Sequence, residues 1–475
     1  MNIADMFAEA LEVRKISKNE VIRQTGIDRS TFYQILGKKR MATPVQFLKI
    51  LNILQPDNDT EERGRFLRQY ERERVGEEQF EKYEKVRSFL RMLSDAEDGA
   101  GDSASEGSAG KNAAPGNGAA AEKKCAQEDG DSAAAVSCPE PIEAMIRRAL
   151  LKSGKIKLRL LLPSELFFSL GIEKVLEENI RSGSTVYAEQ LLSDWDGRSD
   201  AEPMIVGFAE YLLFLKKKPV FFVNTYMTDD VLFHPEGTPY PFYIIGEDDM
   251  VMFDRAGEKC VRVQDPVQVR DFTEHFDCLI RHASPVVELT QDLTGMMAKV
   301  AGMLQEHLKA QEDTTPLPVY NFSDAPCVWL STSPEQSKRY IDSMNLEADD
   351  AADLQAFGNL IRSLDLIEFT SRERISRLLA RRRITENGLD IKIRKDDIPV
   401  LRAAIRERIG KNLFLFNEKR QPLPNGYFFY LSGDGKMILG PHNDSSFLVS
   451  VQNWDFVRDL YDWFATRIYT VNPES

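Results

Sequence analysis

Cysteine is scarce in this 475-residue chain: Cys125, Cys138, Cys260, Cys278 and Cys327 include no CxxC pair. An odd, widely spaced set builds neither a disulfide framework nor a zinc site, and the reducing cytoplasm is the expected compartment. Histidine is equally sparse, and no two of His234, His275, His282, His307 and His442 stand at the three- or four-residue spacing of a helical ligand pair. Neither metal nor cofactor is therefore expected. No apolar run exceeds five residues, as in Tyr211 to Leu215, so no segment is long enough to span a bilayer and no membrane partner is expected. The opening MNIADMFAEALEVRK spaces acids through its apolar residues where a signal peptide needs an unbroken stretch. Walker loop, GxSxG and GxGxxG are all missing, and the expectation is that the chain is not an enzyme.

Basic charge is also short overall, with 61 Lys and Arg against 75 Asp and Glu and a net charge of −14. It is unevenly spread. Residues 1 to 50 hold nine Lys or Arg and five Asp or Glu, a net +4, which leaves −18 for the remainder. A basic end on an acidic body places any polyanion at the N-terminus and limits nonspecific adhesion elsewhere.

Residues 94–139 contain no aromatic side chain and are rich in Gly, Ala, Ser and Asp. Such a segment buries too little apolar surface to offset the entropy of ordering it, so it is read as a flexible tether. Its presence divides a chain already too long for one ordinary core. The expected organisation is multidomain. An all-α helix-turn-helix domain occupies 1–58, a charged helical extension 59–93 and a disordered linker 94–140. An α/β effector lobe at 141–285 and a second α+β lobe at 286–475 complete the body.

The N-terminal signals lie in SKNEVIRQTGIDRSTFYQILGKKR, residues 17 to 40. Ser17 with Glu20 three residues later is a capping box that starts a helix. Gly26 supplies the left-handed residue of a turn, Ile27 anchors it, and Asp28 caps a second helix. Phe32, Ile35 and Leu36 form the buried stripe of that helix, leaving Arg29, Ser30, Tyr33 and Gln34 outside. Gly37 stops it, and Thr43 with Pro44 opens another helix. Ile3 to Val13 supplies the helix that closes the bundle.

Over Ile16 to Leu54, ISKNEVIRQTGIDRSTFYQILGKKRMATPVQFLKILNIL resembles the Cro and repressor-like DNA-binding domain of the xenobiotic-response-element (XRE) family. The resemblance implies that the second helix enters the major groove while the first crosses the backbone. Arg29, Ser30, Tyr33 and Gln34 then become base readers, and Ser17, Lys18, Lys38, Lys39 and Arg40 phosphate contacts. Leu36-Gly37 replaces the Glu-x-Gly common in relatives, which leaves the end of the recognition helix open. The chemistry fits without the family. Arginine pairs bidentately with guanine and glutamine with adenine, while a basic run gives salt-dependent grip. Taken singly, each basic residue reads more readily as solvated surface. The expected partners are double-stranded DNA, a second copy of the chain in a homodimer, and an unknown small-molecule or protein effector. A candidate dimer element is Thr60 to Asp95, a single charged helix with the stripe Phe66, Tyr70, Phe80, Tyr83, Val86, Leu90 and Leu93. Packing of that stripe against its own DNA-binding unit is the alternative.

In the body, FYIIGEDDMVMF from Phe242 and FYLSGDGKMILG from Phe429 share an order of aromatic strand, acidic Gly turn and apolar strand, followed by a loop, a valine strand and an amphipathic helix. Val269, Arg270, Asp271 and Phe276 fall opposite Val457, Arg458, Asp459 and Phe464. Two similar lobes with a ligand groove between them would follow, against two unrelated units of like appearance. His307-Leu-Lys309 opens like the HxK element of phospholipase D-like enzymes, but Thr314 stands where its aspartate is needed. His307 is accordingly read as a helix-surface residue. Gly246 to Asp249 reads as a hairpin turn and Arg372 to Arg383 as a solvated basic helix face, with His442 and Trp454 as weak pocket candidates. The leading expectation is a sequence-specific, dimeric bacterial transcription regulator with a ligand-sensing or interaction region. The alternative is an enzyme of unknown reaction localised on DNA.

Overall fold

The computed structural model describes residues 1–55, 61–95, 141–151, 153–192, 202–217, 221–227, 239–289, 293–310, 317–344, 346–386, 389–416, 424, 426–442, 447–452 and 454–468. Of the expected tether, residues 96–140 lie outside the described residues.

Four helices form an N-terminal bundle: α1 (Ile3–Val13), α2 (Lys18–Thr25), α3 (Arg29–Leu36) and α4 (Pro44–Leu54). Their termini follow the sequence signals. Ser17 accepts from the Glu20 amide, but the Glu20 carboxylate accepts from Gln24 in its own helix and leaves the expected capping box half formed; Asp28 accepts from the Thr31 amide, and Thr43 forms a reciprocal capping box with Gln46. Phe7, Val21, Phe32, Phe47 and Leu51 are at most 1% exposed, so the apolar stripes of all four helices converge on one core.

The charged extension is two helices, α5 (Glu61–Val75) and α6 (Glu77–Asp95), broken at Gly76, whose φ of +87° only glycine adopts readily. The break divides the apolar stripe. Phe66 and Tyr70 join the bundle core, where Tyr70 stacks on Phe47 at 3.9 Å between centroids. Arg63 of α5 donates to the Leu51 and Gln55 carbonyls (3.3 and 2.6 Å), satisfying the end of α4. Tyr83, Val86, Phe89, Leu90 and Leu93 instead join the core of the body, with Phe89 against Phe208 and Phe456. All seven stripe residues are 5% exposed or less within one chain. One helix was expected here, and the glycine makes two with different attachments.

The body is α/β. Its elements run α7 (Ile142–Leu150), β1 (Lys155–Leu161), α8 (Ser164–Ser169), α9 (Ile172–Arg181), β2 (Thr185–Leu192), α10 (Glu202–Lys217), β3 (Phe221–Met227), β4 (Phe242–Ile245), β5 (Met250–Phe253), β6 (Cys260–Val263), α11 (Pro266–Ile280) and β7 (Ser284–Leu289). There follow α12 (Leu293–Ala310), β8 (Val319–Phe322), α13 (Val328–Ser331), α14 (Pro334–Asp342), α15 (Ala348–Ser363), β9 (Leu366–Ser371), α16 (Arg372–Arg381), a β10–β11 hairpin (Arg383–Glu386 and Leu389–Lys392), α17 (Ile398–Arg408), β12 (Leu413–Phe416), β13 (Tyr427–Ser432), β14 (Lys436–Pro441), β15 (Phe447–Gln452) and α18 (Asp455–Ile468).

Among the described residues, thirteen strands make one mixed sheet in the order β12-β9-β8-β13-β14-β15-β7-β3-β2-β1-β4-β5-β6. The order contains a repeat. Parallel strands β3-β2-β1 continue into the antiparallel meander β4-β5-β6, and parallel β12-β9-β8 continue in the same way into β13-β14-β15. In each half a helix follows the meander, α11 in one and α18 in the other, where the sequence repeat places them. The halves meet edge to edge through β7, which pairs antiparallel with both β15 and β3. The lobes are therefore neighbours in one continuous sheet, which is not the arrangement of two bodies facing across a groove.

Candidate nucleic-acid interface

The nine residues singled out in the sequence are all exposed on the bundle. Arg29, Ser30, Tyr33 and Gln34 occupy the outer face of α3, because Phe32 and Ile35 turn the opposite face into the core. Tyr33 is 42% exposed, and its ring lies 5.8 Å from both the Lys18 ammonium and the Arg29 guanidinium. The start of α2 is thereby brought beside the start of α3, with an aromatic face between two cations. The side chains of Arg29, Ser30, Gln34, Lys39 and Arg40 make no hydrogen bond or ion pair among the described residues. Ser17 differs, since its hydroxyl already accepts from Glu20 at 3.1 Å.

Lys38 also differs. Its ammonium is 2.7 Å from Asp5 of α1, and that hydrogen bond, with the attendant charge, holds the Asp5 carboxyl below its usual range. Part of the charge of the KKR run is thus neutralised within the bundle. The end of α3 is likewise more specific than a glycine stop. Gly37 has an ordinary φ of −84°, whereas Lys38 takes the left-handed conformation at +60°. The Lys38 and Lys39 amides donate to the Ile35 and Gln34 carbonyls, completing a Schellman turn with lysine where glycine is usual. A Cβ on Gly37 would lie 3.0 Å from the Tyr33 carbonyl oxygen, a close approach that favours glycine at this position.

A second basic face was absent from the sequence expectations. Arg65, Arg68 and Arg72 project from α5 at spacings of three and four and line a cleft with Met6 of α1 and Phe80 of α6. The spacing was visible in the chain. Its position beside α1 was not, because that depends on the packing of Phe66 and Tyr70 in the bundle core.

The body's candidates include several side chains that are buried or paired. His307 is 2% exposed, contrary to the helix-surface expectation, with Nε2 3.2 Å from the Leu317 carbonyl oxygen and Nδ1 3.5 Å from Asp434. Asp249 does end a turn, since the Gly246 amide donates to its carbonyl, yet its side chain is buried against Arg262. Arg374 on the inner face of α16 is 2% exposed and pairs with Asp324 at 2.9 Å, so that helix is not wholly solvated on its basic side. His442 and Trp454 are both fully buried.

The clearest polar centre is Glu368 of β9. It accepts from the Cys327 amide at 2.8 Å and from Asn321 of β8 at 3.4 Å, and it pairs with Arg408, which also donates to Ser331 at 2.8 Å. Strand register matches these positions to the other lobe. Asn321 pairs with Tyr430 and Glu368, while Leu161 pairs with Tyr243 and Leu191. One lobe thus keeps an apolar pair where the other holds a buried carboxylate satisfied by an arginine and an amide. Among the described residues, no three or more potential metal ligands gather.

No family model and no curated protein matches this chain. Among the described residues, no helix is long and apolar enough to cross a membrane.

Proposed function

We propose that the N-terminal bundle is a helix-turn-helix of XRE type and that the chain is a sequence-specific, DNA-binding transcription regulator acting in the cytoplasm. One observation carries this reading: α3 presents Arg29, Ser30, Tyr33 and Gln34 on one exposed face, flanked by Lys18, Lys39 and Arg40, which have no carboxylate partner among the described residues. Arg29 and Gln34 have the donor geometry for base edges in the major groove, and the flanking cations suit phosphate oxygens. One such helix reads too few base pairs for selectivity, so two copies act together. Their contact lies outside the α5–α6 stripe, which is already buried within the chain. The α/β body is the ligand-sensing or protein-interaction region.

The test uses the full chain. Duplexes selected from a random pool give the preferred site, and binding to that site and to a scrambled duplex is then compared for Arg29→Ala and Gln34→Ala. Base readout requires a loss concentrated on the preferred site. An equal loss on both duplexes, or no selection from the pool, overturns the reading.

A further inference from the structure

A cleft with a volume of about 370 Å³ opens where α1, α5 and α6 meet. This lies toward the lower end of the range of small-molecule sites. Met6 and Phe80, 7% and 4% exposed, supply apolar lining, and Arg65, Arg68 and Arg72 supply the cationic wall. The charges there are unequally engaged. Glu84 on the α6 side is paired with Arg87, and Arg72 is 3.4 Å from Glu77 while its guanidinium lies 4.6 Å from the Phe80 ring centroid. Arg65 and Arg68 have no carboxylate partner among the described residues. Gln69, between them and Arg72, is held by Glu73, which also accepts from the Ile3 amide at 2.7 Å and so ties α5 to α1. The wall carrying the two uncommitted guanidinium groups is therefore fixed before any ligand arrives.

From this geometry we infer that the cleft binds a small organic phosphate, a phosphate monoester attached to a planar or apolar group. Planar guanidinium groups match phosphate oxygens bidentately, which favours an oxyanion over a neutral polar ligand. The apolar lining favours an ester over the bare ion. The recess also favours a small molecule over the backbone of a duplex, which presents its phosphates on a convex surface. Because α1 and α5 belong to the bundle and α6 to the core of the body, an occupant touches both sides of the Gly76 joint. As a ligand site the cleft is independent of DNA binding. Its further role, as an effector site beside the ligand-sensing or interaction region of the body, rests on the reading of the chain as a regulator.

The experiment is calorimetric titration of the full chain, without DNA, using adenosine monophosphate and phenyl phosphate, their phosphate-free counterparts adenosine and phenol, and inorganic phosphate. At least one ester is expected to bind, at least tenfold more tightly than its phosphate-free counterpart and than inorganic phosphate. Arg65→Ala and Arg68→Ala should each weaken it tenfold or more, Arg68→Lys less, and Lys39→Ala not at all. Both arginines are exposed, and an unchanged unfolding midpoint checks that the variants fold. Binding of neither ester, or binding indifferent to both arginines, overturns the site. So does duplex DNA that displaces the ester and loses affinity equally on all sequences in Arg68→Ala, since the arginines would then grip backbone. A second titration measures duplex affinity with the ester saturating. A change supports the effector role, whereas no change with ester binding intact removes that role and leaves the site.

Discussion

Glu71 of α5 is ion-paired with Arg467 of α18, 396 positions further along the chain, and the same carboxylate also receives Arg87 of α6. The helix continuous with the N-terminal bundle is thereby fastened to the last helix of the body. Burial pulls the Arg467 guanidinium below its usual pKa, with the Glu71 charge acting the other way. Within α18 the same guanidinium lies over the Trp463 ring, at 4.6 Å.

Removing that carboxylate strands a buried cation. Glu71→Ala should cost about 3–5 kcal/mol, read as a lower urea midpoint, and Glu71→Gln should cost less because the amide oxygen still accepts. An unchanged midpoint for Glu71→Ala would show that water replaces the carboxylate and that the attachment is not structural.

If the bundle grips DNA as proposed, its three consecutive cations will not count equally. Lys39→Ala and Arg40→Ala should each reduce the slope of log affinity against log salt by about 1. Lys38→Ala should reduce it less, since Asp5 already neutralises that ammonium. Equal slopes for all three variants would argue against the ion pair persisting in the complex.

Tyr70 gives the bundle an alkaline limit. Burial pushes its phenol up to about 12 from 10.0, and its hydroxyl donates to the Ala42 carbonyl at 2.8 Å. A raised folded pKa favours the neutral form, so this stability is intact below pH 10 and is lost as pH rises toward 12. Tyr70→Phe should flatten the decline in the unfolding midpoint across that window. A decline of the same slope in the variant would assign the effect to other groups.

Gly26 tests the turn between α2 and α3. Its φ is +68° and a Cβ there would meet nothing within 4 Å, so Gly26→Ala carries backbone strain alone. The expected cost is about 1–2 kcal/mol, measured by thermal or urea unfolding of the bundle. A neutral result would mean that the turn relaxes without cost.

The bundle was legible because its determinants are local. Ser17, Gly26, Asp28 and Thr43 act within three or four residues of themselves, and the helices at Ile3–Val13 and Pro44–Leu54 fall where spacing placed them. The aromatic strands of the paired phrases were legible for the same reason, one opening at Phe242 and the other covering Phe429. The strands Thr185–Leu192, Ser284–Leu289 and Leu366–Ser371 were not, because each is placed by pairing with a strand on either side, which short-range spacing does not show. The repeat was visible as paired phrases, but its meaning came from hydrogen bonding along the sheet, which ordered both halves alike and inserted β7 between them.

The sequence by itself determined where the bundle's helices begin, and which residues of α3 face outward, since capping and periodicity are short-range. Only the tertiary structure decided that α5 belongs to the bundle and α6 to the body, that Lys38 is held by Asp5, and that Arg65 and Arg68 line a cleft. Each of those depends on groups that chain order does not make neighbours, and long-range packing alone brings them within hydrogen-bonding or van der Waals distance.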